Sequence, residues 1–299
     1  MLSALLAVLA AVANGLASVL QRKAARDRPA SESLSWRLIR HLLHRPVWFG
    51  GVASITAAFL LQAVALGIGR ISVVESILVL DLPVALILSS LLLHDRMRAR
   101  EWAAAAAMAA GLAGMLLSLE PAAGSAGAVS GPAWAMASGA NVLLIAAGVW
   151  WARLSGEGAR KAAILGTTTS FGFALTAALI KGATGTVGHG IGGLFTSWQL
   201  YAMIVAGAAS MFLLQSAVHA GRLLAAQPGL SLGDPVLSML WGTVVFGETV
   251  RGGWHIAAAA FAAAVVGMAV FVLAHSPALA DDDGRPDESD ATPVAGEAA

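Results

Sequence analysis

The chain has 299 residues, of which 58% are hydrophobic and only 12% charged, about half the charged share of an ordinary soluble domain. A formal net charge of +1 provides no field to steer nucleic acid or an acidic partner, and the lack of cysteine excludes disulfides, thiolate metal sites and thiol catalysis. With a mean hydropathy of +0.77, the composition instead points to a protein dissolved in lipid.

A helix crossing a hydrocarbon core about 30 Å thick needs about 20 apolar residues. Nine stretches meet that need, roughly 2–21, 48–69, 72–93, 102–119, 132–152, 162–182, 197–218, 225–247 and 254–275. Membrane barrels require short alternating strands, whereas these are continuous runs rich in Ala and Leu. The expectation is an all-α polytopic membrane protein of about nine spans.

The first span lacks the basic leader of a signal peptide and carries Asn14, Ser18 and Gln21 on one face. A basic loop follows, with Trp36 to Arg45 reading WRLIRHLLHR. That stretch is either an amphipathic helix in the headgroup layer or a solvated loop, and whether 33–45 form a further membrane-associated helix stays open. Gln62 lies in the second span. The third contains Asp81 and Pro83 near its middle, with Glu75 nearer its outer end and read as interfacial. Small residues, including Gly111 and Gly114, fill the fourth and let helices approach closely. The seventh span offers Gln215 and His219. In the eighth, Gln227, Ser231, Asp234 and Ser238 share a face. Asp234 is placed toward one end of it, and Pro228, Gly229, Gly233 and Pro235 predict an interruption. After Pro277 the chain is acidic and poor in large apolar residues, so 278–299 read as a disordered tail.

Loop charge gives the orientation. Alternate loops hold 15 Lys and Arg on one side and 3 on the other, which places the N-terminus outside and the C-terminus in the cytoplasm of an inner (plasma) membrane.

Internal similarity is the strongest signal. Phe-Leu-Leu-Gln occurs at Phe59 to Gln62 and again 153 residues later at Phe212 to Gln215. The same offset carries Asp81 onto Asp234, Asp95 onto Glu248 and Gly114 onto Gly267; Pro83 and Pro235, like Trp102 and Trp254, miss it by one. The halves would be 1–121 and 159–277, joined by a linking helix within 122–158. Corresponding spans lie five apart, so the repeats are inverted, as in many secondary transporters with midplane substrate sites.

These residues resemble a known family. Trp48 to Pro121, with the Pro83 helix ending in LLLHDRM (Leu91 to Met97) and a small-residue helix after it, is similar to the repeat unit of the drug/metabolite transporter superfamily, including its EamA-type members. Trp48-Phe49-Gly50-Gly51 and Gln21-Arg22-Lys23 add a likeness to NIPA-like magnesium transporters. Ala58-Phe59 and Ser76-Ile77-Leu78 stand where that subgroup has Gly-Glu and Pro-Leu-Gly. The resemblance implies a carrier without catalytic residues or cofactor, whose partners are the lipid bilayer and a small-molecule or cation substrate, with a homodimer as the assembly to test.

An ionised Asp at the bilayer centre costs about 2.5–3.5 kcal/mol on insertion scales and usually faces a pathway. Asp81 and Asp234 are therefore the candidate proton- or cation-binding groups, and the metal ligands if the cargo is a metal. Gln62, Gln215, Asn14, Ser231 and Ser238 are expected to line the path. No basic residue lies near the middle of a span; Arg70, Lys181 and Arg222 fall at helix ends. His219 reads as structural, and Asp95 and Glu248 as loop anchors. GHGIGG (Gly188 to Gly193) has no strand before it and is not read as a nucleotide site. The rival class is a non-transporting membrane scaffold or sensor.

Overall fold

The computed structural model describes residues 1–25, 46–93, 98–122, 124, 129–220 and 223–275. The expectations for Trp36 to Arg45, Asp95, Arg222 and the acidic tail lie outside the described residues.

The described chain is helical, with no strand beyond an isolated antiparallel bridge between Ala122 and Thr249. In order the helices are α1 (Leu2–Ala25), α2 (Pro46–Ile68), α3 (Ile71–Leu78), α4 (Asp81–Leu93), α5 (Ala99–Leu119), α6 (Gly131–Leu154), α7 (Ala159–Gly185), α8 (Ile191–Thr196), α9 (Trp198–Ala220), α10 (Leu223–Val244) and α11 (Trp254–Ala274). Eight spans among the described residues are long and apolar enough to cross a membrane, α3 and α4 together making one of them. The chain is an all-α, multi-pass membrane protein. Of the nine expected spans, α10 is the one outside that set. Its 22 residues suffice in length, but Gln227, Ser231, Asp234, Ser238 and its glycines and prolines lower its hydropathy.

The third span is broken, and Pro83 explains where. Proline has no N–H to donate to the carbonyl four residues earlier, and its ring crowds that oxygen. The oxygen belongs to Val79, and the break falls at Val79 and Leu80. Leu80 N instead bonds Ile77 O at 3.0 Å, and Val84 N bonds Leu80 O at 3.1 Å. Pro83 thereby becomes the third residue of α4, where an N–H would have no intrahelical partner anyway. Asp81 becomes the first residue of α4, on the positive end of the helix dipole. Acid and proline are neighbours because one makes a helix start and the other suits it.

The eighth span differs from expectation. Leu223–Val244 is a single helix with Pro228 and Pro235 inside it, and Asp234 lies midway along it. Close packing on α7 accounts for its continuity. A Cβ on Gly229 would stand 2.4 Å from Thr167 Oγ1, and one on Gly233 would stand 2.2 Å from Ser170 Oγ. The glycines let α10 lie flush against α7, and that contact carries the helix past both prolines.

The helices pack chiefly in pairs. α1 lies against α2 and against α3 and α4, while α7 lies against α9 and α10. α5 pairs with α11, and α3 with α10. The α5–α11 contact is close because Gly111 is bare: a Cβ there would meet Val266 Cγ2 at 2.8 Å and Ala262 O at 3.0 Å. Lipid tails give no hydrophobic drive between helices, so such small-residue approach supplies much of the attraction. α6 and α9 turn large apolar side chains such as Leu143, Trp150, Val205 and Phe212 outward.

One end of the bundle is held by polar bonds. Glu248, 4% exposed, accepts from Ile71 N at 2.8 Å, Ser72 N at 3.3 Å and Ser72 Oγ at 2.5 Å. It caps the start of α3 from a segment far away in sequence, filling donors that a helix leaves unmet. Lys181 Nζ stands 4.0 Å from Glu248 Oε1, donates to Leu66 O and Gly69 O at the end of α2, and sits 5.3 Å from the Phe246 ring centroid. Alongside, Arg251 N donates to Leu119 O at 2.8 Å, its guanidinium pairs with Glu120 at 2.5 Å, and Arg70 donates to Pro121 O. Glu248 is thus an anchor between loop and helix.

Candidate functional site

A cavity of about 360 Å³ opens among α1, α2, α3, α4, α7 and α10. Asn14, Gln62, Asp81, Ser231 and Asp234 all line it, together with Glu75, Gln227 and Thr176. Both helix irregularities border it. Val79, whose carbonyl Pro83 cannot engage, and Ser231, whose carbonyl Pro235 cannot engage, are wall residues.

Asp81 finds its partner on another helix. Asn14 Nδ2 donates to Asp81 Oδ2 at 2.7 Å, and Gly15 makes this possible: a Cβ on it would lie 2.9 Å from Val84 Cγ1 and 3.0 Å from Ala85 N. The neighbours of Asp81 on its own segment, Val74, Leu78 and Ala85, offer no polar group. Gln62 Nε2 donates to Glu75 Oε1 at 3.0 Å. Gln227 Nε2 donates to Ser231 Oγ at 3.3 Å along α10. Asp234 is held differently: its Oδ1 is buried without a hydrogen bond, and its electrostatic neighbours are Glu75 and Asp81.

Glu75 departs from the sequence reading. It is 2% exposed and faces the cavity, because α3 lies between α1 and α10 and not at the lipid boundary. Its spacing from Asp81, six residues on, gives no hint of a shared cavity in a straight helix; the break at Val79 and Leu80 brings the two to one wall.

Two expected lining residues lie elsewhere. Gln215 is exposed, since α9 touches the bundle through α7 on its other face. His219 nearby contacts only its own helix, with Nδ1 3.2 Å from Gln215 O. Ser238 is buried one turn beyond Asp234, its hydroxyl beside that carboxyl, and is not part of the cavity wall.

The lining residues include three acids and no Lys, Arg or His. Lys181 is turned away toward Glu248 and the end of α2. Among the described residues no three His, Cys, Asp or Glu side chains converge tightly enough to hold a metal ion. Over 259 residues the chain is 31% identical to an uncharacterized protein of Corynebacterium glutamicum, a match covering 83% of this chain and 87% of that protein. The chain belongs to that protein's family. No protein-family model matches the chain, and no solved structure matches it. Since 83% of the chain is matched, the relationship spans the bundle and is not confined to one helix pair.

Proposed function

We propose that the chain is a secondary transporter of the drug/metabolite type, moving a small solute or cation by alternating access with protons as the exchanged ion. One observation carries this reading: Asn14, Gln62, Asp81, Ser231 and Asp234, from four separate spans, meet around a single cavity that Val79 and Ser231, the residues four before the two prolines, also line. Carriers with interrupted helices place substrate sites in that way.

The packing supports an inverted repeat. Under the 153-residue offset α1 matches α7, α2 matches α9, the α3–α4 span matches α10, and α5 matches α11. The contacts α1–α2 and α7–α9 then correspond, as do α1 with α3–α4 and α7 with α10. The pairs α5–α11 and α3–α10 join matching elements to each other, as an axis relating two halves requires. The excess of Lys and Arg in alternate loops supports an external N-terminus in a plasma membrane.

Flux into proteoliposomes tests the proposal, using Mg²⁺ and a panel of metabolites with and without a pH gradient. Saturable flux that responds to the gradient and is lost in Asp81→Asn and Asp234→Asn is the expected result. Saturable Mg²⁺ flux indifferent to pH would sink the proton-exchange version. Undiminished flux in both variants would remove the cavity acids from the mechanism, whereas no saturable flux of any solute through the wild-type protein would favour the scaffold class.

A further inference from the structure

The carrier reading leaves the chemical class of the cargo open, and the cavity narrows it. We infer that the cavity takes an organic cation, an ammonium or amidinium group on a small apolar body, and that Glu75 is a contact residue for its positive charge. This rests on the carrier reading, and it is argued from charge, size and lining.

Charge comes first. Glu75 on α3, Asp81 on α4 and Asp234 on α10 line one cavity without a basic residue. The groups bonded to two of them, Gln62 and Asn14, are neutral amides that orient a carboxyl and cancel no charge. The third, Asp234, has a buried oxygen with no hydrogen bond. Lys181, the nearest base on a lining helix, is committed to Glu248 and to carbonyls at the end of α2. An anion would add to the repulsion among the acids, whereas a cation relieves it.

Size and lining separate an organic cation from a bare metal ion. About 360 Å³ lies within the range of small-molecule pockets, roughly 300–1,000 Å³. The acids sit on three helix segments without forming a compact ligand set among the described residues. Ile55, Phe59, Leu78 and Phe173 supply apolar wall, and aromatic faces attract alkylammonium groups. A bare or hydrated metal has no use for that surface.

Glu75 is singled out by burial and by its free capacity. It is 2% exposed, yet Gln62 supplies one hydrogen bond to a group that accepts about four when ionised. Its carboxyl has Asp234 and Asp81 as electrostatic neighbours, so a cationic group in contact with Glu75 is attracted by all three.

The test is binding to the purified full chain in lipid nanodiscs, measured by titration calorimetry with benzyltrimethylammonium, benzyl alcohol, phenylacetate and Mg²⁺ as probes. Expected are saturable binding of benzyltrimethylammonium, none of phenylacetate, and a Kd at least tenfold weaker in Glu75→Gln. Gln215→Ala should keep the wild-type Kd. A second readout needs no variant: benzyltrimethylammonium should block labelling of Glu75 by an apolar carbodiimide in the wild-type protein. Preference for phenylacetate or Mg²⁺, a Kd within twofold in folded Glu75→Gln, or labelling of Glu75 undisturbed by the cation would each overturn the inference. Flux separates it from the reading beneath it. Cation binding without transport refutes the carrier and keeps the site, whereas saturable flux of another solute without cation binding keeps the carrier and refutes the site.

Discussion

Replacing Glu248 with Ala should cost the bundle about 3–5 kcal/mol, the range for stripping one partner from a buried ionic contact. The structure gives the terms. Two backbone donors and one hydroxyl of Ile71 and Ser72 lose their acceptor, and a lost helix cap alone costs about 0.5–2 kcal/mol. Lys181, 4.0 Å away, loses its counter-charge as well. At an effective dielectric of about 20 that separation corresponds to at most about 4 kcal/mol before desolvation is offset. Unfolding in mixed dodecyl sulfate micelles, followed by circular dichroism, reads the change. Glu248→Gln keeps one accepting oxygen and should lose about half as much. In a cycle with Lys181→Met, the coupling should be about 1–2 kcal/mol, within the span of contacting pairs. A Glu248→Ala protein within about 0.5 kcal/mol of wild type, the scatter of inconsequential surface changes, would refute the capping role.

Further outcomes follow from single contacts. Pro83→Ala restores a donor for Val79 O and should straighten the third span, raising resistance to denaturant while abolishing saturable flux; unchanged flux would show that the break is dispensable. Gly111→Ala should destabilise by about 1–3 kcal/mol through overpacking against Val266 Cγ2 at 2.8 Å and Ala262 O at 3.0 Å. Gly114→Ala, whose Cβ would meet only Ala262 Cβ at 3.6 Å, should be neutral or stabilising by up to about 1 kcal/mol; the same micelle titration compares them. Gln62→Ala should reduce flux at least tenfold while Gln215→Ala leaves it intact, although the two residues occupy matching places in Phe-Leu-Leu-Gln.

The spans were legible because uninterrupted apolar runs leave few alternatives in lipid. Asp81 and Asp234 stood out for the same reason, each being a carboxyl inside an apolar run with no basic residue near its middle. Asp81 takes its partner from another helix, Asn14 of α1. Less of the site followed from pattern. The lost proline bond was applied to Pro235, but packing of Gly229 and Gly233 on α7 holds that helix together, and Pro83 is the one that breaks its span. The position of Glu75 is not legible because distance from a helix end says nothing about which neighbours lie alongside. That of Gln215 is not legible because a shared register does not fix how a helix is rotated against its bundle.

α6 has a consequence for connectivity. It carries the chain once across the membrane, yet its buried residues are only Trp134, Asn141 and Ala152. It meets the bundle chiefly through α7 and through Trp134, whose ring lies against Trp198, Trp241 and Phe246. It also decides the face from which α7 sets out, since one crossing more or fewer would start α7 on the opposite face. The contacts α2–α7, α3–α10 and α5–α11 that join the parts on either side do not run through it. Two polypeptides divided between Ser155 and Gly158 and made in the same cell should therefore find each other and assemble.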